Sequence, residues 1–198
     1  MSLIILDRDG VINHDSEQFI KAPSEWEPIE GSLEAIAKLN HGGYRVVVIT
    51  NQSGIARGLF DADTLGRIHS KMRRMVSQVG GKLEAIIYCP HGPGDGCNCR
   101  KPEIGAFNEL SNRLRIDLSG VPAVGDSLRD LQAAQDAGAR PILVKTGKGE
   151  KTLAAPALPA DFAEDRGRLY LGQDWAEGLN AANATLPHLA SQFHFAHR

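Results

Sequence analysis

Short runs of apolar residues alternate along the chain with segments of helical periodicity. Buried strands are predicted at residues 3–6, 46–49, 83–88, 121–124 and 141–144. Amphipathic helices are predicted between them, at about residues 33–41, 62–79, 107–114 and 128–137. Strands and helices that alternate in this way are typical of βαβ units. The pattern therefore predicts an α/β fold of three layers, a Rossmann-like parallel sheet with helices on both faces.

Polar and turn-forming residues fill the connections between these elements. Ser32 is predicted to cap the first helix, and Asp61 or Asp63 the second, since short oxygen-bearing side chains satisfy the free N–H groups there. Residues 13–31 are expected to form a long loop, and residues 147–168 an irregular connection.

The length of 198 residues fits one domain with a sizeable core. A short strand at residues 169–171 and a helix from residue 174 are predicted near its end, and the histidines of the tail lack a ligand pattern. No stretch is long enough for a separate cap domain. We expect a single domain over residues 1–198, with a site open to small soluble substrates.

Composition and charge narrow the class of protein. The formal net charge of −2 offers no basic field to nucleic acid or to an anionic membrane. No apolar run approaches the roughly 20 residues that span a bilayer, and the N-terminus lacks the pattern of a signal peptide. The three cysteines fall between residues 89 and 99, and an odd, clustered set disfavours a disulfide framework. We expect a monomeric, cytoplasmic protein whose partner is a small molecule.

Two aspartates separated by one residue follow the first predicted strand. Asp7 and Asp9 would share one side of the chain, beyond the carboxyl end of a parallel strand, where ligands gather in open α/β sheets. Carboxylates this close repel each other unless a cation or a shared proton intervenes. Mg²⁺ is the simplest such cation. Alone, such a pair is more typical of a solvated loop, so the other motifs decide between the two interpretations.

Three cysteines and one histidine lie in a single loop rich in glycine and proline. Cys89, His91, Cys97 and Cys99 are the Cys₃His set of a tetrahedral zinc site. Four protein ligands leave no open position for water, which predicts a structural zinc. The alternative is three free cysteines beside a surface histidine, an uncommon arrangement in such a short segment.

Polar residues also follow the other predicted strands. Thr50 and its successors Asn51, Gln52 and Ser53 supply hydroxyl, amide and backbone groups, and Lys101 follows the zinc loop. Asp126 comes after the strand at residues 121–124, with Asp130 one helical turn later. Each residue alone is typical of a turn, a helix cap or a solvated surface. An acid, a hydroxyl, a lysine and an acid in this order, each after a strand, indicate one shared site.

The order Asp7-x-Asp9, Thr50, Lys101 and Gly125-Asp126 resembles the haloacid dehalogenase-like (HAD) phosphatase superfamily. The resemblance covers residues 3 to about 145. More narrowly, the start Asp7-Arg8-Asp9-Gly10, the segment from Thr50 to Gly58 and the zinc loop followed by Arg100-Lys101-Pro102 look like the D-glycero-D-manno-heptose-1,7-bisphosphate 7-phosphatase family. The histidinol-phosphate phosphatases share much of this pattern, including the zinc loop.

The resemblance implies a role for each catalytic residue. Asp7 would attack phosphorus and form an aspartyl-phosphate, and Asp9 would act as general acid and then as general base. Mg²⁺ would be held by the Asp7 carboxylate, the Asp9 carbonyl and Asp126. Thr50 and Lys101 would hold the phosphoryl oxygens. An acid at position 9 also favours phosphate esters over dehalogenation, which has no leaving alkoxide to protonate.

The resemblance also implies where the substrate binds. The expected contacts to the sugar and its phosphates are Asp15, Ser16, Glu17, Gln18, Thr50, Asn51, Gln52, Ser53, Arg57, Arg100 and Lys101. Some relatives have a lysine where this chain has Ser127, and Arg129 is the candidate to replace it. Asp130 is expected to support the site without binding the metal itself. The implied pathway is the supply of nucleotide-activated heptose for lipopolysaccharide or a related glycoconjugate.

Two other functions remain open on the sequence. A histidinol-phosphate phosphatase would use the same catalytic residues on a cationic amino alcohol, and Glu17 could meet that charge. A non-catalytic, zinc-stabilised binding module with a HAD-like fold is the third possibility. Turnover of the two phosphate esters separates all three.

Overall fold

A parallel sheet forms the centre of the computed structural model, which describes residues 2–156. Its strands are β1 (Ser2–Leu6), β2 (Tyr44–Asn51), β3 (Ala85–Cys89), β4 (Pro122–Gly125) and β5 (Arg140–Leu143). The helices are α1 (Ser32–His41), α2 (Ala62–Gln78), α3 (Gly105–Leu114), α4 (Leu128–Asp136) and α5 (Gly149–Leu153), with a 3₁₀ turn at Pro23–Glu25. The strand predicted at residues 169–171 and the helix predicted from residue 174 lie outside the described residues.

The sheet is buried on both faces, as the continuous apolar strands predicted. On β1, Ile4 and Leu6 point into a core that contains residues of α1 and α2. Leu3 and Ile5 point into a second core that contains residues of α3 and α4. Successive side chains of a strand face opposite sides, so one short strand contributes to both cores. The three-layer α/β fold is confirmed, and residues 2–156 contain no separate cap domain.

The strand order creates a crevice at the carboxyl edge of the sheet. Every pairing is parallel, and the order across the sheet is β3-β2-β1-β4-β5. The chain runs outward from β1 to β3 and then returns to the other side of β1 to add β4 and β5. The connections therefore reverse direction between β1 and β4, the kind of switch point where ligands bind in open α/β folds.

The loop between β1 and α1 is part of the core. Ile12, Ile20 and Trp26 are all buried there, and Trp26 is completely inaccessible to solvent. The prediction that Ser32 caps α1 is wrong. Gly31 is the N-cap, while Ser32 donates its hydroxyl to the carbonyl of Ile12 at 2.7 Å, so the serine holds the loop against the helix.

The stretch predicted as an irregular connection contains a short helix. α5 begins at Gly149, just after the turn that follows β5. Thr152 of this helix donates to the carbonyl of Asp126 at 2.8 Å, so α5 packs against the end of β4. Within residues 2–156, every helix is too short or too polar to cross a bilayer.

Candidate active site

The turn after β1 places Asp7 and Asp9 at the switch point. The backbone N–H of Asp7 donates to the carbonyl of Val124 at 2.8 Å, which ties the end of β1 to β4. Gly10 has φ +80°, a left-handed conformation that turns the chain away from the sheet. A Cβ on Gly10 would lie 2.0 Å from Oδ2 of Asp126, so only glycine permits this close approach.

Three buried carboxylates form a cluster at this turn. Asp7, Asp126 and Asp130 each offer an oxygen within 4.8 Å of the others, and all three side chains are buried. Burial raises the pKa of Asp7 to about 6 and that of Asp126 to about 7, and repulsion from neighbouring carboxylates adds to both shifts. Carboxylate oxygens crowded in this way suit a hard divalent cation.

Lys101 is the cation that the structure places among these acids. Its Nζ lies 3.0 Å from Oδ1 of Asp7 and 2.7 Å from Oδ1 of Asp130. It also donates to the carbonyl of Ile49 at 2.9 Å. Burial opposes the charged form, but the two carboxylates outweigh it and raise the pKa of Lys101. The ammonium is therefore charged at neutral pH and lies between the two acids.

Asp9 has a different set of partners. Arg8, which is only 1% exposed, donates to its carboxylate from Nε and from one terminal nitrogen. Asn13 and Gln52 each donate an amide N–H to Asp9 at 2.8 Å. Burial opposes ionisation, but the Arg8 charge and these hydrogen bonds lower the pKa of Asp9. Asp7 and Asp9 thus have pKa values shifted in opposite directions.

A buried histidine supports Arg8 from the side of α2. The second terminal nitrogen of Arg8 lies 3.3 Å from Nε2 of His69. Burial first, and then the Arg8 charge, lower the pKa of His69 to about 3. The imidazole is therefore neutral, and Nε2 accepts the hydrogen bond because a guanidinium has only donors.

Asp7, Arg8, Asp9 and Lys101 line one side of a pocket of about 330 Å³. The residues predicted from the sequence that line it are Asp7, Asp9, Asp15, Ser16, Glu17, Thr50, Asn51, Gln52, Ser53, Arg57, Arg100 and Lys101. Gln18 lies apart from them and lines an adjacent pocket of about 260 Å³ with His14 and Lys21. Asp126 does not reach the pocket wall and belongs to the buried carboxylate cluster.

The loop after β3 brings the four predicted zinc ligands together. The Sγ atoms of Cys89 and Cys97 are 3.6 Å apart, and those of Cys89 and Cys99 are 3.2 Å apart. Nδ1 of His91 lies 3.3 Å from Sγ of Cys99. Ligands at about 2.3 Å in a tetrahedron are separated by about 3.8 Å, so a small contraction of a zinc site gives these distances. The cluster is compatible with one zinc ion.

The cluster is connected directly to Lys101. The side-chain amide of Asn51 donates to the carbonyl of Lys101 at 3.0 Å and accepts from its N–H at 3.1 Å. Arg100 donates to the carbonyl of His91 at 3.2 Å. An ion bound by the cysteine loop would therefore also fix the backbone position of Lys101.

Several residues of the site were not predicted from the sequence. Arg8 and Gly10 belong to the Asp7-Arg8-Asp9-Gly10 motif that carries the family resemblance, but no role in the site was predicted for them. His69 lies on the buried face of α2, where a histidine is typical of a core position. Lys148 follows β5 and lines the pocket. Ligands gather beyond the carboxyl ends of parallel strands, and this rule applies to β5 as well. Applied to the residues after β5, it would have pointed to Lys148.

Comparisons with known proteins agree with this geometry. A family model described as HAD-hydrolase-like matches residues 98–167. The heptose-1,7-bisphosphate 7-phosphatase of Bordetella bronchiseptica is 60% identical over 159 residues, which cover 80% of this chain and 89% of that protein. The Pseudomonas aeruginosa enzyme of the same name is 53% identical over 155 residues, covering 78% and 87%. The chain belongs to the D-glycero-beta-D-manno-heptose-1,7-bisphosphate 7-phosphatase family.

A solved structure from this family has the same fold. The crystal structure of the D,D-heptose 1,7-bisphosphate phosphatase of B. bronchiseptica superposes with a TM-score of 0.85 at 52% identity, and it covers 94% of this chain and 99% of its own. That protein was crystallised with magnesium and phosphate. The chain is therefore a HAD-like hydrolase of a phosphatase family, as the order of its motifs indicated.

Proposed function

We propose that the protein hydrolyses the 7-phosphate of D-glycero-D-manno-heptose 1,7-bisphosphate through a phosphorylated Asp7. The observation that carries the proposal is the position of Asp7. It is the one member of the buried carboxylate cluster that lines the described pocket, and it lies 3.0 Å from a charged lysine. The family relationship and a pocket that suits a small phosphorylated sugar support it.

Asp7 is suited to attack phosphorus. An ionised carboxylate is a competent nucleophile toward a phosphate ester, provided that the repulsion between the two anions is neutralised. Lys101 is held by its ion pair with Asp130 and its hydrogen bond to the carbonyl of Ile49, so its ammonium stays 3.0 Å from Asp7. In this position the ammonium would stabilise the phosphoryl oxygens as charge moves onto them.

Asp9 is proposed to transfer the protons of the reaction. The negative charge of the bound phosphate would favour the protonated form of Asp9. From that form Asp9 would protonate the leaving sugar oxygen and then take a proton back from the water that hydrolyses the aspartyl-phosphate. Its carboxylate faces the same pocket, and Gln52 donates both to it and, at 3.1 Å, to the hydroxyl of Thr50. Arg8, which His69 holds in turn, keeps Asp9 in place, so the carboxylate need not reorganise during transfer.

The carboxylate cluster fits Mg²⁺. Asp7, Asp126 and Asp130 bring three negative charges together, and Lys101 offsets one of them, which leaves the charge that a divalent cation balances. Asp7 and Asp126 would bind the ion, with the Asp9 carbonyl, while Asp130 remains paired with Lys101. Bound there, Mg²⁺ would reduce the electrostatic repulsion between the attacking carboxylate of Asp7 and the negatively charged phosphate.

Three arginines also line the pocket. They are Arg57, Arg100 and Arg129, and burial followed by repulsion from Arg129 lowers the pKa of Arg100. Nε of Arg129 is buried and has no hydrogen-bond partner among residues 2–156. Several guanidinium groups in one pocket attract a second phosphate, so we propose that they bind the 1-phosphate of the substrate.

Ser127 is not available for that purpose. Its side chain and backbone form a capping box with Asp130 at the start of α4. We therefore propose that the arginines replace the lysine that some relatives have at this position. We also propose that the cysteine loop holds one structural zinc, and that the chain forms a single phosphatase domain.

Turnover of two phosphate esters tests the proposed function. Purified protein with Mg²⁺ is given heptose 1,7-bisphosphate or histidinol phosphate, and phosphorus NMR follows which phosphate is released. We expect the 7-phosphate to be removed and the 1-phosphate to remain. Faster turnover of histidinol phosphate would favour the alternative substrate, and no hydrolysis of either ester would favour a binding module.

A further inference from the structure

Lys148 contacts the buried carboxylate cluster and the substrate loop at the same time. Its backbone N–H donates to Oδ2 of Asp126 at 2.8 Å, and its ammonium forms an ion pair with Asp15 across the pocket. Asp126 and Asp15 come from opposite ends of the described chain, after β4 and after β1. Lys148 therefore joins the loop after β1 to the turn after β4.

The turn that carries Lys148 is firmly attached to the carboxylate cluster. Thr146 donates its hydroxyl to the carbonyl of Gly10 at 2.6 Å. A Cβ on Gly147 would lie 2.2 Å from Oδ2 of Asp126 and 2.5 Å from Cα of Gly10, so the two turns are in close backbone contact. Lys148 therefore extends its side chain from a base whose position is fixed relative to the nucleophile.

Asp15 is held at the other end of this contact. One of its carboxylate oxygens accepts from the backbone N–H of Ser16 at 2.8 Å, and the other accepts from Lys148. Burial opposes the charge on Lys148, but the hydrogen bond and charge of Asp15 raise the pKa of Lys148, so its ammonium stays charged at neutral pH. Each carboxylate oxygen still has a free acceptor position, which can bind a sugar hydroxyl.

We propose that Lys148 is a positioning residue for the sugar. Its ammonium fixes the orientation of Asp15, and Asp15 then accepts a hydrogen bond from a hydroxyl of the substrate. This inference rests on the proposed function, because it requires a phosphorylated sugar as the substrate. It assigns Lys148 no part in the attack on phosphorus, since its ammonium is paired with Asp15 and only its backbone contacts Asp126.

Lys148→Met removes the ammonium and keeps both the length of the side chain and the backbone N–H. Two substrates are compared, heptose 1,7-bisphosphate and p-nitrophenyl phosphate, which has no sugar. We expect the ratio of kcat/KM for the sugar to that for the aryl ester to fall about fivefold, chiefly through KM, the upper range for a half-exposed ion pair. Lys148→Arg should restore most of the ratio, because it restores the charge.

Two further variants complete the test. Lys145→Met, on the same turn but outside the pocket and paired with Glu150 at 3.7 Å, should leave the ratio within twofold. Asp15→Asn should lower the ratio, and adding Lys148→Met to it should have little further effect, because both changes remove one interaction.

The outcomes separate this inference from the proposed function. Wild-type protein that fails to hydrolyse the sugar bisphosphate overturns both. If the wild type does hydrolyse it, an unchanged ratio in Lys148→Met overturns the positioning role alone. Proportional loss of both activities would also overturn it, since that result indicates general damage to the site.

Discussion

Nζ of Lys101 lies 3.0 Å from Oδ1 of Asp7, with both side chains buried at the end of the sheet. The same ammonium is 2.7 Å from Oδ1 of Asp130, so one cation forms ion pairs with two buried acids. Burying a charge is unfavourable unless it is paired, so the cluster depends on this lysine for stability as well as for chemistry. The proposed nucleophile and the proposed phosphate-binding cation are therefore inseparable in the folded protein.

Replacing Lys101 with methionine should lower both stability and activity. The free energy of unfolding should fall by about 3–5 kcal/mol above neutral pH, because two buried carboxylates lose their partner. Protonation of these acids should reduce the loss at lower pH. Urea denaturation measures the effect, with the exposed Lys82→Met as control. An unchanged midpoint would contradict the account.

Mg²⁺ should stabilise the protein more strongly as the pH rises. The pKa of Asp7 is raised to about 6 and that of Asp126 to about 7, so between about pH 4 and about pH 7 the folded state binds more protons than the unfolded chain. With the metal absent, these two groups make stability fall as the pH rises through that window. Mg²⁺ competes with the protons, so its effect on Tm should be small at about pH 5 and large at about pH 8.

The control for the metal effect is Asp126→Asn, which removes one of the two raised carboxyl groups. In this variant, the rise in Tm caused by Mg²⁺ should differ less between about pH 5 and about pH 8 than it does in the wild type. Thermal unfolding with and without Mg²⁺ measures it. A shift in Tm that is the same at both pH values in the wild type would show that Mg²⁺ binds elsewhere.

Gly10 and Gly31 offer a matched pair of substitutions. Both have φ near +80°, but a Cβ on Gly10 would lie 2.0 Å from Asp126, whereas a Cβ on Gly31 meets nothing within 4 Å. Gly31→Ala should cost about 1–2 kcal/mol of stability from backbone strain alone and retain activity. Gly10→Ala should also reduce Mg²⁺-dependent activity about 10- to 100-fold by displacing a metal ligand. Equal Mg²⁺-dependent activities of Gly10→Ala and Gly31→Ala would contradict this prediction.

Zinc should be present at about one ion per chain, as a closed Cys₃His site requires. Cys97→Ser should lower both the zinc content and the Tm, and it should weaken phosphatase activity because the same loop carries Lys101. Metal analysis and thermal unfolding measure the first two quantities. Zinc-free protein with an unchanged Tm would exclude a structural role for the metal.

Local sequence patterns predicted those parts of the fold that depend on local interactions. Asp61 caps α2 by accepting from the N–H of Thr64 at 2.7 Å, as its position before the helix indicated. The apolar run at residues 46–49 located β2 but not its end. The strand continues to Asn51, because Thr50 and Asn51 still pair with residues of β3 despite their polar side chains.

Long-range contacts explain what the sequence did not reveal. The hydroxyl of Ser32 donates to the carbonyl of Ile12, 20 residues earlier, and no helix-capping rule anticipates this contact. Lys148 pairs with Asp15, 133 residues away, so its place in the pocket depends on the closeness of two loops in the folded chain. The aspartates at positions 7 and 9 could be singled out because their spacing is itself local.

The catalytic role of Asp7 can be tested by crystallising the protein with Mg²⁺ and beryllium fluoride, which mimics a phosphoryl group bound to a carboxylate. The account predicts that beryllium is bonded to an oxygen of Asp7, with Lys101 donating to a fluoride, and that Asp7→Asn shows no adduct. An adduct on another side chain, or one retained in Asp7→Asn, would contradict it.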